Sequence, residues 1–109
     1  MIYGAGAGGV TALRELLSNS ALNLRPVGFL DDDPSKIGKF VNGYRVFGGV
    51  EVIEKQAPAM NVAVVVVAST KITNDRVCRL REECRRLDIG LLKMRITFDV
   101  HPDESEARV

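Results

Sequence analysis

The chain has 109 residues, of which 46% are hydrophobic and 27% are charged, and its formal net charge is +1. This length fits a single domain with its own hydrophobic core and leaves no room for a second. The near-neutral charge argues against nucleic acid or an anionic membrane surface as a partner. No apolar run approaches the roughly 20 residues that span a bilayer.

Three predicted elements open the chain: a short strand, a glycine loop and an amphipathic helix. The strand at 1–3 is shorter than a buried parallel strand usually is, which suggests a first strand clipped from a larger parent. The loop at 4–9 contains only glycine and alanine. The helix is predicted from about 8 to 18, because its leucines recur on one face. A second short strand at 26–30 follows.

The middle of the chain is rich in turn signals. An acidic run follows the second strand, and Asn42-Gly43 predicts a turn. We expect a short third strand at 44–47 and a brief helix at about 50–56, ended by Pro58.

The clearest strand lies at 61–68, where every residue after the first is apolar. Such a run is typical of a central parallel strand covered on both faces. A helix is predicted at about 75–87, with Thr73 or Asn74 as its cap, and a last strand at 91–97. Cys78 and Cys84 in this helix lie too far apart for an easy disulfide, so both are expected to be reduced, structural thiols.

Strands that alternate with helices predict an α/β fold with helices on both faces of a parallel sheet. We expect about five strands in the order 3-2-1-4-5, with a crevice between strands one and four. The domain would cover 1–98. Residues 99–109 form a polar tail, which contains the single histidine and is expected to fray.

The glycine loop carries the most informative motif, Gly4-x-Gly6-x-x-Gly9, which matches a dinucleotide-binding fingerprint. Gly4 would permit the tight turn, Gly6 would let the backbone approach a pyrophosphate, and Gly9 would let the helix pack on the sheet. The helix N-terminus would supply N–H groups to the anion. The alternative is a glycine turn used only for packing.

An acidic residue ends the second strand, at the distance from the glycines that the fingerprint expects. Asp31 or Asp32 would accept hydrogen bonds from ribose hydroxyls, and a carboxylate there would repel a 2′-phosphate, which favours NAD(H) over NADP. The alternative is an acidic turn that caps a helix or loop. Lys36 either reaches a phosphate or is a free surface lysine.

Ser69 and Thr70 end the central strand at the same crevice, where they either contact the ligand or cap the following helix. The full set of candidate binding residues is Gly4, Ala5, Gly6, Ala7, Gly8, Gly9, Asp31, Asp32, Ser69 and Thr70.

Catalytic machinery is not visible in the sequence. A Tyr-x-x-x-Lys pair is absent, because Ala7 and Gly48 stand four residues after the two tyrosines. His101 lies in the tail, no cluster has metal-ligand spacing, and no nucleophile has an evident base. Whether the chain belongs to an enzyme therefore stays open.

Several stretches resemble the Rossmann-like domain of bacterial polysaccharide-biosynthesis proteins, the CoA-binding-like or nucleoside-diphosphate-sugar epimerase/dehydratase group. They are 2–6, 25–34 and 42–49, and the phrase PVGFLDDDP within 25–34 is the most specific. Residues 68–72 and 91–96 look more like a subgroup in which this domain ends a membrane-embedded polyprenyl-phosphate phosphosugar transferase.

The resemblance implies the glycines at a pyrophosphate and Asp31 or Asp32 at a ribose. It implies no catalytic residue, because the catalytic sites of that family lie in neighbouring domains. It also implies a cytosolic domain of an inner-membrane protein, with membrane contact only through the rest of the parent. NAD(H), coenzyme A and a nucleotide-sugar all remain possible ligands.

Three hypotheses follow for the function. The first is a nucleotide-binding module, holding NAD(H) above all, without a complete active site of its own. The second is the cofactor half of an NAD-dependent nucleotide-sugar epimerase or dehydratase. The third is a structural or dimerisation domain with a vestigial site, which would form a homodimer.

Overall fold

The computed structural model describes residues 1–69 and 71–96 and has a Rossmann-like α/β architecture. The strands are β1 (Ile2–Tyr3), β2 (Phe29–Leu30), β3 (Phe40–Val41), β4 (Tyr44–Arg45), β5 (Val64–Val67) and β6 (Gly90–Lys93). The helices are α1 (Ala7–Ser18), α2 (Ile53–Ala59) and α3 (Asn74–Arg86), with 3-10 turns at Ser20–Leu22 and Val50–Val52. No helix among the described residues is long and apolar enough to cross a membrane.

Four strands form one parallel sheet in the order β2-β1-β5-β6. Strand β1 lies at the centre, where Ile2 pairs with Phe29 on one side and with Val66 on the other. The chain reverses its direction of progress between β1 and β5, so a crevice opens at their carboxyl ends.

Alternating side chains of the strands supply two separate cores, one on each face of the sheet. On one face, Tyr3, Leu30 and Val65 pack with residues of α2 and α3. On the other face, Ile2 and Phe29 pack against α1, whose Leu13 is fully buried. The predicted α/β class with a parallel sheet between helices is confirmed.

The sheet has four strands where about five were predicted, because the third segment pairs elsewhere. Asn42 and Gly43 both have positive φ, as a type I′ turn requires, so the chain folds back into the antiparallel hairpin β3–β4. The residues that follow β4 reach the sheet edge beside β2. Val46 forms a parallel bridge with Phe29, the Phe47 N–H donates to the Phe29 carbonyl at 3.0 Å, and the Asp31 N–H donates to the Gly48 carbonyl at 2.8 Å.

Two further expectations differ in detail. Pro58 lies inside α2 rather than ending it, since the helix continues to Ala59. In β5, Val65 and Val67 are buried, whereas Val64 and Val66 are only half-buried. The uniformly apolar run therefore overstates how fully this strand is covered. The predicted boundary at 98 and the tail 99–109 lie outside the described residues.

Candidate functional site

A cavity with a volume of about 600 Å³ lies at the carboxyl ends of the parallel strands. The glycine loop, the end of β2 and the end of β5 form its walls, and residues after β6 close one side. Its size falls within the usual range for small-molecule and cofactor sites. The crevice that the strand alternation predicts is therefore present.

Three glycines of the loop are required by the fold itself. Gly4 has φ +108°, a conformation that L side chains rarely adopt, and it packs against Ser69. A side chain at Gly8 would overlap the carbonyl of Ala68, and one at Gly9 would overlap the carbonyl of Gly4. These close approaches fix the loop against the sheet.

Gly6 differs from these three, because nothing in the fold explains its missing side chain. A Cβ there would meet only the Lys36 ammonium, at 3.6 Å, which is an ordinary contact. Its backbone lies in the extended region and caps α1, with the Val10 N–H donating to the Gly6 carbonyl at 3.1 Å. Because Gly6 has no side chain, the adjacent part of the crevice stays open.

The N-terminus of α1 opens onto this space. Within the described part of the chain, no side chain caps this end, and the first turn contains no acidic residue. The first N–H groups of a helix have no intrahelical partner and carry a partial positive charge. Ala7 and Gly8 both line the crevice, so this end is suited to an anion.

Asp31 lies beside the loop and fixes it to the end of β2. Its carboxylate accepts a hydrogen bond from the Ala5 N–H at 2.9 Å and another from the Asp33 N–H at 2.9 Å. The side chain retains 16% exposure and lies at the crevice wall. This carboxylate can accept further hydrogen bonds from a ligand.

Asp32 also lines the crevice, but its carboxylate is held by other residues of the protein. It accepts hydrogen bonds from the Tyr3 hydroxyl and from the Val50 N–H, the latter at 3.4 Å. It also pairs with Arg76 at 2.7 Å. The two neighbouring acids, which the sequence did not distinguish, thus have different surroundings.

Lys36 reaches the crevice because a tight turn returns the chain toward the glycine loop. The Lys36 N–H donates to the Asp33 carbonyl at 3.0 Å, and Pro34 fixes φ within this turn. Hydrogen bonds from the Ser35 N–H and hydroxyl lower the pKa of Asp33. The Lys36 ammonium then lies 3.7 Å from the Asp31 carboxylate.

Ser69 lines the crevice, and its hydroxyl accepts from the Lys71 N–H at 3.2 Å. The cap of α3 is Thr73, whose hydroxyl accepts from the Arg76 N–H at 3.4 Å. Ser69 therefore does not serve as that cap. Thr70 lies outside the described residues.

Sequence reasoning missed several residues of the crevice, among them Arg76, Lys71 and Met94. Arg76 could have been found from the sequence, because a cation in the first turn of a helix is unfavourable unless it has another partner. Ile72, Met94 and Ile96 form an apolar wall of the crevice. The sequence gives no sign of this role, because these residues look like ordinary strand and loop residues. No group of three or more metal-ligating side chains occurs among residues 1–69 and 71–96.

The crevice is lined by a glycine loop and lies where the strand order of the parallel sheet reverses. These two features define this chain as a Rossmann-like α/β domain. In agreement, the fold matches the crystal structure of UDP-D-quinovosamine 4-dehydrogenase from Vibrio fischeri, with a TM-score of 0.67. The match covers 86% of this chain and 75% of that one, at 22% sequence identity. This likeness is one of fold.

Sequence comparison relates the chain to polysaccharide biosynthesis proteins. It is 31% identical over 91 residues to the probable polysaccharide biosynthesis protein EpsC of Bacillus subtilis (strain 168), covering 84% of this chain and 15% of EpsC. It is 27% identical over 107 residues to the capsular polysaccharide biosynthesis protein CapD of Staphylococcus aureus, covering 97% of this chain and 18% of CapD. The chain thus spans less than a fifth of these relatives. No protein-family model matches it.

Proposed function

We propose that this chain is a nucleotide-binding module of a polysaccharide-biosynthesis protein and that its ligand is NAD(H). Gly6 carries this proposal. Packing explains why Gly4, Gly8 and Gly9 lack side chains, but it leaves Gly6 unexplained. A ligand pyrophosphate against the α1 N-terminus accounts for Gly6, because any side chain would occupy its position.

The residues around Gly6 fit the proposed cofactor. The loop 4–9 would hold the pyrophosphate, and Asp31 would hold an adenosine ribose through its hydroxyls. NAD(H), when bound, supplies a hydride donor or acceptor. The role of these residues is to bind and orient it, and we place the chemistry of the parent protein in other domains, with this module on the cytosolic side of an inner membrane.

A nucleotide-sugar is the second candidate ligand, and the names of the two polysaccharide-biosynthesis relatives favour it. It also contains a nucleoside diphosphate, so the same loop would hold it. Coenzyme A is the third, and its additional ribose phosphate would lie near the acidic end of β2.

The first test is a thermal-shift panel of the domain with NAD, NADH, NADP, coenzyme A and UDP-sugars. A ligand at about a hundred times its dissociation constant adds roughly 2.7 kcal/mol to the free energy of unfolding. A selective rise in Tm identifies the ligand. The absence of a shift with all of them contradicts the proposal and favours a vestigial site.

The matched test of the loop compares Gly6→Val with Gly90→Ala. Gly6→Val should abolish nucleotide binding while the protein remains folded, because the added side chain points into open crevice. Gly90 lies in β6, where a Cβ would make ordinary contacts with Val64 and Ala63. Its variant should bind like the wild type. Retained affinity in Gly6→Val would remove the pyrophosphate from this loop.

A further inference from the structure

The crevice contains two acid–base pairs that differ in how firmly they are held. Arg76 and Asp32 approach to 2.7 Å, and Asp32 is also bound by Tyr3 and by the Val50 N–H. Lys36 and Asp31 approach only to 3.7 Å, too far for a hydrogen bond. The first pair is part of the framework, and the second is open to exchange.

The position of Lys36 is fixed by the backbone, although its ammonium is not. The turn from Asp33 to Lys36 is closed by the 3.0 Å hydrogen bond between these two residues. From there the ammonium reaches the space over Gly6, at 3.6 Å from the position of an added Cβ. Lys36 therefore lies between the carboxylate of Asp31 and the open end of α1.

We infer that Lys36 is a specificity-determining residue that selects a ligand by its diphosphate. This inference rests on the proposed function and deepens it. When a nucleoside diphosphate enters, the Lys36 ammonium leaves Asp31 and pairs with the diphosphate over Gly6. The Asp31 carboxylate is then free to accept hydrogen bonds from the ribose hydroxyls.

The energetics favour this exchange. The Lys36 side chain is 41% exposed, and an exposed ion pair contributes little to stability. A charge-assisted hydrogen bond to phosphate contributes more. The helix N-terminus attracts the same anion. The ligand class is therefore a nucleoside diphosphate with free ribose hydroxyls, which NAD and nucleotide-sugars share.

The experiment must distinguish this role of Lys36 from a second one. Because Lys36 lies beside Asp31, it could instead pair with a phosphate on the ribose, as in NADP or coenzyme A. The two roles differ in which ligands lose affinity when the ammonium is removed.

The experiment measures dissociation constants by calorimetry for nucleoside, nucleoside diphosphate, NAD and NADP, with adenine and uridine series in parallel. Lys36→Met removes the charge, Lys36→Arg restores it, and Lys39→Met is the matched control on an exposed lysine outside the crevice. We expect Lys36→Met to weaken the diphosphate and NAD roughly tenfold to a hundredfold. The nucleoside should change by less than about threefold.

We expect Lys36→Arg to restore the affinity for the diphosphate and NAD. Lys39→Met should bind every ligand with wild-type affinity. Unchanged affinity for the diphosphates in Lys36→Met overturns the inference and leaves the proposed function standing. A loss confined to NADP overturns it in favour of the ribose-phosphate role. Failure of the wild type to bind any compound of the series overturns the proposed function and this inference together.

Discussion

Two helical segments of this fold begin at a glycine with nearly the same backbone conformation, yet their surroundings are opposite. Gly6, before α1, has φ −87° and ψ −154°, and Gly49, before the 3-10 turn Val50–Val52, has φ −85° and ψ −162°. A Cβ at Gly49 would overlap the Asp32 carboxylate, whereas one at Gly6 would enter the open crevice.

The difference lies in where the anion comes from. At Gly49 the protein supplies its own carboxylates, since Asp32 accepts from the Val50 N–H and Glu51 accepts from the Gly49 N–H. At Gly6 no described side chain fills this role. Both starts have N–H groups without an intrahelical partner, and under the proposed function the anion at α1 would come from the ligand. Three predictions test this comparison.

The largest expected effect is the loss of stability in Gly9→Ala. It distinguishes the glycines that the fold requires from Gly6, which the fold does not require. A Cβ at Gly9 would overlap the Gly4 carbonyl and crowd the buried Phe29 ring. We expect the free energy of unfolding to fall by roughly 3 kcal/mol, the upper part of the usual range for overpacking. Gly6→Ala should change it by less than about 0.5 kcal/mol. Urea unfolding measures both, and equal losses would contradict the distinction.

The second prediction converts the open helix start into a closed one. In Gly6→Asp, the new carboxylate would cap the first turn of α1, as Asp32 does for the 3-10 turn, and it would lie near Lys36. The free energy of unfolding should rise by only about 0.3 kcal/mol, because aspartate is a slightly better N-cap than glycine. Nucleotide affinity should fall by more than roughly a hundredfold, because the anion position is taken. Thermal unfolding and calorimetry test the two effects, and a variant that still binds nucleotide would refute the comparison.

The third prediction compares the two neighbouring acids. Asp32→Ala leaves the Tyr3 hydroxyl and Arg76 without their acceptor, so we expect a loss of about 2 kcal/mol in the free energy of unfolding. Asp31→Asn should instead narrow the ratio of NAD to NADP affinity by about tenfold, because it removes a charge that repels a 2′-phosphate. An unchanged ratio would remove Asp31 from the ribose role.

The thiols of α3 provide the readout for that third comparison. Cys84 is buried, and its burial, with a smaller contribution from Glu83, raises the pKa of its thiol. Cys78 is exposed and should react readily with a thiol reagent in every variant. Asp32→Ala should accelerate labelling of Cys84, because Asp32 anchors α3 through Arg76. Equal protection in Asp32→Ala and Asp31→Asn would contradict this anchoring role.

Local patterns were sufficient for the class of fold and for the position of the crevice. The glycine loop, the apolar run at 61–68 and the helical periodicity of about 75–87 each predict an element that the structure contains. The strand lies at Val64–Val67 and the helix at Asn74–Arg86. The third strand was harder to predict, because the Asn42-Gly43 turn favours a local hairpin over the sheet edge. The paired residues of this hairpin are only three and five positions apart. Their pairing therefore needs no long loop closure, which explains why the hairpin forms.

The parallel α/β sheet and the position of its glycine loop follow from the sequence alone, because hydrophobic period and glycine spacing are local properties of the chain. The difference between Asp31 and Asp32 is visible only in the tertiary structure. Both line the crevice, but they differ by one position in sequence and their partners come from different parts of the chain. Tyr3 and Arg76 approach Asp32 from β1 and α3, while Lys36 returns to Asp31 through a turn. Side-chain direction and long-range contact set the chemistry of these charges, and neither is encoded in local spacing.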